Sequence, residues 1–278
     1  MPAPSPKTLN GWADYIVRQP LPVMHYTAEH LARMRDHEDE VDARAMADKL
    51  CGDPLMVLHT FALIARKRGN RPAADISTLD RAIVMLGVSP FLDAVKDLPT
   101  VETGAAADRG AYRGFLRVLR RAQHAQDYAI RIAAWRNDVA AEEIGLAALL
   151  HDAAEMLIWY FAPDLAERVQ QMLAADSKVR SAVAQRVVLG TTVNDLQLRL
   201  AKLWHLPDLL VRLMDDRHAD TPRVRNAILA VSLARHSASG WDNAALPDDF
   251  KALADLMQSS ESTARNLIHK EEAAHAAA

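Results

Sequence analysis

The side chains of this sequence most capable of chemistry are few and far apart. His151 and Asp152 sit side by side within the apolar run 144–161, His124 lies upstream, and Arg217 and His218 lie downstream. Imidazole and carboxylate together can ligate a metal ion or move a proton, whereas a guanidinium binds anions and repels cations. A second group is wholly basic: Arg113, Arg117, Arg120 and Arg121 recur at helical spacing just ahead of His124. Such a stripe suits a phosphate or an acidic segment of a partner, and it equally suits a plain solvated helix face. Arg66, Lys67, Arg68 and Arg71 form a further basic group at an expected helix C-terminus, where cations complement the macrodipole in any case. There is no Gly-rich phosphate loop, no G-x-S-x-G and no H-E-x-x-H, so nucleotide triphosphate hydrolysis, serine hydrolysis and zinc proteolysis have no support in the sequence.

The elements that must position these residues are helices. Apolar residues recur every three to four positions, strong helix formers dominate, and no stretch alternates with a period of two, so the fold class is all-α. Start and stop signals divide the chain. Asp53-Pro54 begins a helix reaching Gly69, Ser77 with Asp80 has the form of a capping box, Gly87 suits a C-cap, and Ser89-Pro90 begins another helix. Further helices are expected at about 110–136, 141–161, 164–175, 178–189, 192–204, 208–217, 222–238 and 248–257, with a terminal helix from Ser260. The small, polar, aperiodic stretch 99–110 sets the domain boundary, giving an N-terminal helical subdomain at 1–102 and a helical bundle with a C-terminal helical tail at 103–278.

Composition narrows the classes of function. The 278 residues are 50% hydrophobic and 25% charged, ordinary values for a folded chain. The formal net charge of -3 supplies no global field to gather nucleic acid or an anionic membrane, so neither is an expected partner. Cys51 is the single cysteine, which excludes an internal disulfide, fits a reducing cytoplasm and reads as a small core residue. Residues 1–9 are polar, carry three prolines and lead into no apolar run, so a secretory signal is not expected. The run 144–161 is interrupted by His151, Asp152 and Glu155, each costly at a bilayer centre, and reads as a buried helix rather than a membrane span. Trp135, Trp159, Tyr160 and Phe161 are likewise expected in the core rather than as a stacking platform.

Three stretches together resemble the HDOD family, the HD-related output domains of bacterial signal-transduction proteins, over about residues 21–218. The first is Asp53-Pro54-Leu55 with Ile76-Ser77-Thr78-Leu79-Asp80-Arg81-Ala82-Ile83-Val84-Met85-Leu86-Gly87. The second is His124 with Leu149-Leu150-His151-Asp152. The third is Leu189-Gly190, then Leu200, Trp204, Leu206 and Pro207, then Arg217-His218. The resemblance implies an N-terminal helical part packed on a degenerate copy of the HD phosphohydrolase bundle, working as a signalling output module.

An HD hydrolase holds divalent metal ions on His and Asp ligands, so that bound water is activated and phosphate charge neutralised. Here the resemblance places His124, His151 and Asp152 at three ligand positions. It places Val193 where the next His belongs, Arg217-His218 at the His-His pair, and Arg235 near the final Asp. A guanidinium about 5 Å from a dication opposes it by on the order of several kcal/mol at an effective dielectric near 20. The doublet also continues Ala153-Ala154-Glu155, where enzymes that cleave cyclic dinucleotides commonly read H-D-x-G-K, and Ala65-Arg66 stands where many HDOD members carry Asn-Ser.

The expectation is therefore a degenerate pocket of His124, His151, Asp152, Arg217 and His218, with no catalytic residue and no cofactor. His124 and His151 are expected to be buried or half-buried beside Asp152, with Arg217 available to pair with that carboxylate; any metal would fall to His124, His151 and Asp152. The function expected is a non-catalytic regulatory module, cytoplasmic, acting through protein–protein interaction with other signalling proteins, a homodimer being among its assemblies. Two alternatives stand beside it: a metal-dependent HD-type phosphohydrolase or cyclic-dinucleotide phosphodiesterase, and a non-catalytic sensor of a phosphorylated small ligand held by His124, Arg217 and the basic stripe.

Overall fold

Helix ends in this protein follow the side chains that can satisfy orphaned backbone groups. Thr8, Asp42 and Thr192 each place a side-chain oxygen on an amide of the first turn, from Gly11, Ala45 and Asp195 respectively. Pro163 and Pro222 stand at helix starts, where no amide hydrogen is needed. The computed structural model describes residues 6–68, 76–104, 108–176 and 178–269. In chain order the helices are α1 (Leu9–Val17), α2 (His25–Asp36), α3 (Ala43–Leu50), α4 (Pro54–Arg68), α5 (Leu79–Leu86), α6 (Val88–Ala94), α7 (Val101–Gly104) and α8 (Arg109–Trp135). There follow α9 (Ala141–Leu150), α10 (Ala153–Phe161), α11 (Pro163–Ala175), α12 (Ser181–Leu189), α13 (Val193–Leu203), α14 (Asp208–Leu213), α15 (Pro222–Ser237), α16 (Leu246–Met257) and α17 (Glu261–His269). Among the described residues extended pairing is confined to one isolated bridge between Val23 and Thr100, so the fold is all-α as the sequence predicts.

The chain forms two compact units, each assembled from separated stretches: 1–119 with 152–207, and 120–151 with 208–278. This division does not coincide with a cut at 102/103. The long helix α8 passes through 119/120 without interruption, and the described residues at the start of the polar stretch 99–110 are packed: Val23 donates its amide to Pro99 O and accepts at its carbonyl from Val101 N, both at 2.9 Å, and Gly104 lies so close to Tyr160 that an added Cβ would come 2.0 Å from the phenolic oxygen.

In the first unit, α3, α4 and α5 pack together, as do α10, α11 and α12, and α1 lies on α13. Its core includes Trp12, Ile16, Leu50, Leu55, Phe61, Phe91 and Phe115, all buried. Asp53 is buried with them and accepts from Met24 N (2.8 Å), Thr27 Oγ1 (2.7 Å), Leu55 N (3.0 Å) and Met56 N (3.3 Å), tying α2 to the start of α4. Cys51 caps α3 and is half-buried rather than a core residue. In the second unit, α15 packs on α9 and α16, α16 on α17, and α14 on α9, around Ile144, Leu149, Leu233, Phe250, Leu253 and Ile268. The end of α8 holds the C-terminal helices by their orphaned carbonyls: Arg131 donates to Ile268 O (3.1 Å), Trp135 Nε1 to Met257 O (3.3 Å), and Arg136 to Leu256 O. Trp135 thus meets its partner at the surface, 46% exposed, and is not the core residue expected.

Local departures from the predicted elements have local causes. Thr78, not Ser77, is the N-cap of α5, and its hydroxyl donates to Asp80 Oδ1 at 2.6 Å rather than accepting from an amide of the first turn. The helix read as 208–217 stops at Leu213 because the Asp215 carboxylate accepts the Arg217 amide and turns the chain into a short 3-10 segment. Gly69, Arg71 and the end of the terminal helix beyond His269 lie outside the described residues. The stretch Ala141–Phe161 is long and apolar enough to cross a membrane by composition, but 83% of its most apolar window is buried inside the protein.

Candidate functional site

The helix expected over 141–161 is two helices, and the break falls on the doublet. All of α9 from Ile144 to Leu150 is buried, and His151 still has helical dihedrals as its cap. Asp152 then leaves the helical region (φ -101°, ψ 10°), and its carbonyl accepts from Glu155 N and Met156 N to start α10. The side chain of Gln197 on α13 accepts from Ala154 N at 2.7 Å and so satisfies an orphaned amide of the new helix. Gln197 is buried and escapes a reading by family motifs; it lies one turn beyond Val193, a spacing that places both on one face.

His151 is 7% exposed and Asp152 3% exposed. In the second unit His151 Nε2 faces Asp216 Oδ1 at 3.4 Å, a long contact for a hydrogen bond. Asp215, next in sequence to Asp216, is buried and gathers Arg217: its carboxylate accepts from Arg217 N (3.1 Å), Nε (2.8 Å) and Nη2 (2.6 Å), while His218 Nε2 lies 3.9 Å away. Those guanidinium hydrogen bonds hold the Asp215 carboxyl below the usual aspartate range, against the opposing influence of burial. Arg217 is 75% exposed at its side chain, so the pair is screened by water and acts mainly to shape the turn. The doublet Asp215-Asp216 is visible in the sequence beside Arg217-His218, yet only the fold shows that these carboxylates are what Arg217 and His151 meet.

His124 departs from expectation. It is exposed on α8, and its ring lies 6.1 Å from that of Tyr128, one turn on, rather than being a buried partner of the doublet. Val193 is buried, and its amide donates to Gln185 Oε1 at 2.9 Å. Arg235 is exposed on α15. Position by position, this donor set does not fit the paired divalent metals of HD hydrolases: a valine has no lone pair to offer, and an arginine has only donors. Among the described residues no group of three or more His, Cys, Asp or Glu side chains is arranged to hold a metal ion.

Of the arginines of α8, Arg113, Arg117 and Arg120 are exposed and Arg121 is half-buried. The Arg117 guanidinium lies 5.7 Å from the Trp159 ring centroid, and Trp159 reaches that position because Gly114 leaves space for it; a Cβ there would come 2.2 Å from the indole. In the other basic group, Lys67 donates to Met85 O (3.1 Å) and Leu86 O (2.8 Å), so it caps the end of α5, while the Arg68 side chain and Arg71 lie outside the described residues.

The HDOD domain model matches residues 21–220, against the 21–218 read from motifs. Among solved structures the chain is similar to the MmoQ response regulator from Methylococcus capsulatus strain Bath, with a TM-score of 0.66 and 19% identity over 90% of this chain and 99% of that one. It is also similar to a virulence factor from Campylobacter jejuni subsp. jejuni, with a TM-score of 0.64 and 19% identity over 94% of this chain and 96% of that one. At such identity these likenesses bear on the fold alone. Comparison with curated proteins gives no match.

Proposed function

Because the chain belongs to the HDOD family, we propose that it is a non-catalytic regulatory module of signal transduction that acts by binding other proteins. The observation that carries this reading is the chemistry at the family's metal-ligand positions. Val193 is buried without a donor atom there, and Arg217 brings a cation that is folded into its own carboxylate, Asp215. An HD reaction needs a metal-bound water near neutral pH, and these residues supply neither its ligands nor a substitute for its charge.

The partners proposed are other signalling proteins, a second copy of the chain among them. The location proposed is the cytoplasm, supported by Cys51 being the single cysteine of the chain, which rules out an internal disulfide. Incubation of the full chain with a panel of nucleotides, cyclic dinucleotides and phosphomonoesters, each with magnesium, manganese or ferrous iron, is expected to give no turnover above buffer. Turnover that disappears in Asp152→Ala would establish the phosphohydrolase reading in its place.

A further inference from the structure

Within the first unit, α8 begins with Arg109, Arg113 and Arg117, four residues apart and all exposed. That spacing sets them on one stripe, with successive Cβ atoms about 6 Å apart. Like charges at this spacing oppose helix formation, and cations in the first turns also meet the positive end of the macrodipole. Their helical neighbours do not relieve them. Arg113 has Arg109, Gly110, Leu116 and Arg117 within three or four positions, and Arg117 has Arg113, Gly114, Arg120 and Arg121. Nor do the nearby acids, which are already engaged. Asp108 caps the helix by accepting from Gly110 N (2.8 Å) and Ala111 N (2.9 Å), and Glu102 accepts from His25 N (2.9 Å) and Tyr112 Oη (3.4 Å). Glu167 approaches the helix at Gly110 and sets one negative charge against three positive ones. Among the described residues Arg109 and Arg113 make no ion pair, and Arg117 is steadied only by the Trp159 ring at 5.7 Å.

We propose that this arginine ladder docks an acidic segment of a partner protein, one whose carboxylates recur on successive helical turns. This deepens, and rests on, the interaction-module reading. Arginine forks bind carboxylates through two parallel hydrogen bonds, and a helix with Glu at every fourth position repeats at the same interval as the ladder. Trp159 holds one of the three guanidinium groups in place before binding, which lowers the entropy lost on docking. An acidic peptide is favoured over nucleic acid because the stripe is only about 12 Å long and the chain as a whole is negative, at -3.

The test uses the full chain and a fluorescein-labelled helical peptide with Glu at every fourth position, with a short DNA duplex and inorganic phosphate as separate arms. The expected result is peptide binding that falls with added salt and weakens roughly tenfold or more in Arg113→Glu/Arg117→Glu. The melting temperature of that variant should be unchanged or higher, since acids now stand near the start of the helix. If it does not fold, Arg113→Gln/Arg117→Gln gives the same comparison. Binding undiminished in the folded variant, duplex DNA bound more tightly than the peptide, or phosphate bound with no affinity for the peptide would each overturn the proposal. Nucleotide turnover in the separate assay would sink the regulatory reading and leave the peptide result as it stands, so the two fail independently.

Discussion

Replacing Asp53 with alanine is expected to destabilise the protein by about 3–5 kcal/mol, the largest effect of any single substitution considered for it. Asp53 is the acid of the Asp-Pro pair that opens α4, and capping alone contributes only about 1 kcal/mol. The remainder comes from what else the carboxylate holds. One oxygen takes Leu55 N and Met56 N at the helix start, and the other takes Met24 N and Thr27 Oγ1 from the start of α2. Burial pushes the Asp53 carboxyl up, and these four donors pull it back toward ionisation. Alanine removes the acceptor and leaves buried donors with no partner, whereas Asp53→Asn keeps part of the network and should cost less. Urea unfolding followed by circular dichroism measures both. A loss under about 1 kcal/mol for the alanine variant would mean that the network does not hold α2 to α4.

Gly190→Ala is expected to cost about 3 kcal/mol, with a second, local signature. Gly190 ends α12 in the left-handed region at φ 75°, where an alanine is strained, and its added Cβ would come 1.9 Å from the Lys7 carbonyl oxygen. The neighbouring Leu189 carbonyl accepts the indole hydrogen of Trp12 at 2.9 Å, and Trp12 is fully buried. The Leu-Gly pair is therefore the seat of α1. Lifting Lys7 away should unseat the helix as well as strain the turn, so hydrogen exchange should show residues 9–17 losing protection ahead of the rest of the first unit. Retained protection in α1, with a loss spread evenly over the chain, would contradict this role.

These two sites show what the sequence conveys and what it does not. Gly190 is legible as a helix stop because Leu189-Gly190 ends a periodic run, but its role as a seat depends on a contact across 177 residues of sequence, between Trp12 and Leu189, which no spacing reveals. The same holds for the doublet. His151-Asp152 stands out by residue type, yet the apolar period continues through it, so the break between α9 and α10 becomes visible only once the Asp152 carbonyl and the Gln197 side chain are seen starting a new helix. His124 has the right type and position for a ligand but is exposed, because periodicity alone does not fix which edge of an amphipathic helix faces solvent. Asp215 and Asp216 have residue types able to pair with cations, but sequence adjacency alone does not show that they meet Arg217 and His151. The spacing of the arginines on α8 is legible because the helical period alone defines it, whereas the Trp159 ring beside Arg117 is a long-range contact that no spacing reveals. The division into two units was not, because helix α8 carries its pattern unbroken from one into the other.

The most direct test of the account is the metal content of the purified chain after exposure to manganese, ferrous iron, zinc or magnesium and removal of the excess, read by elemental analysis beside a thermal melt. The account predicts well under one metal per chain and no rise in melting temperature with any of the four. A stoichiometric metal that raises the melting temperature and is lost in both His151→Ala and Asp152→Ala would contradict it, because the positions held by Val193 and Arg217 would then not be what prevents metal binding.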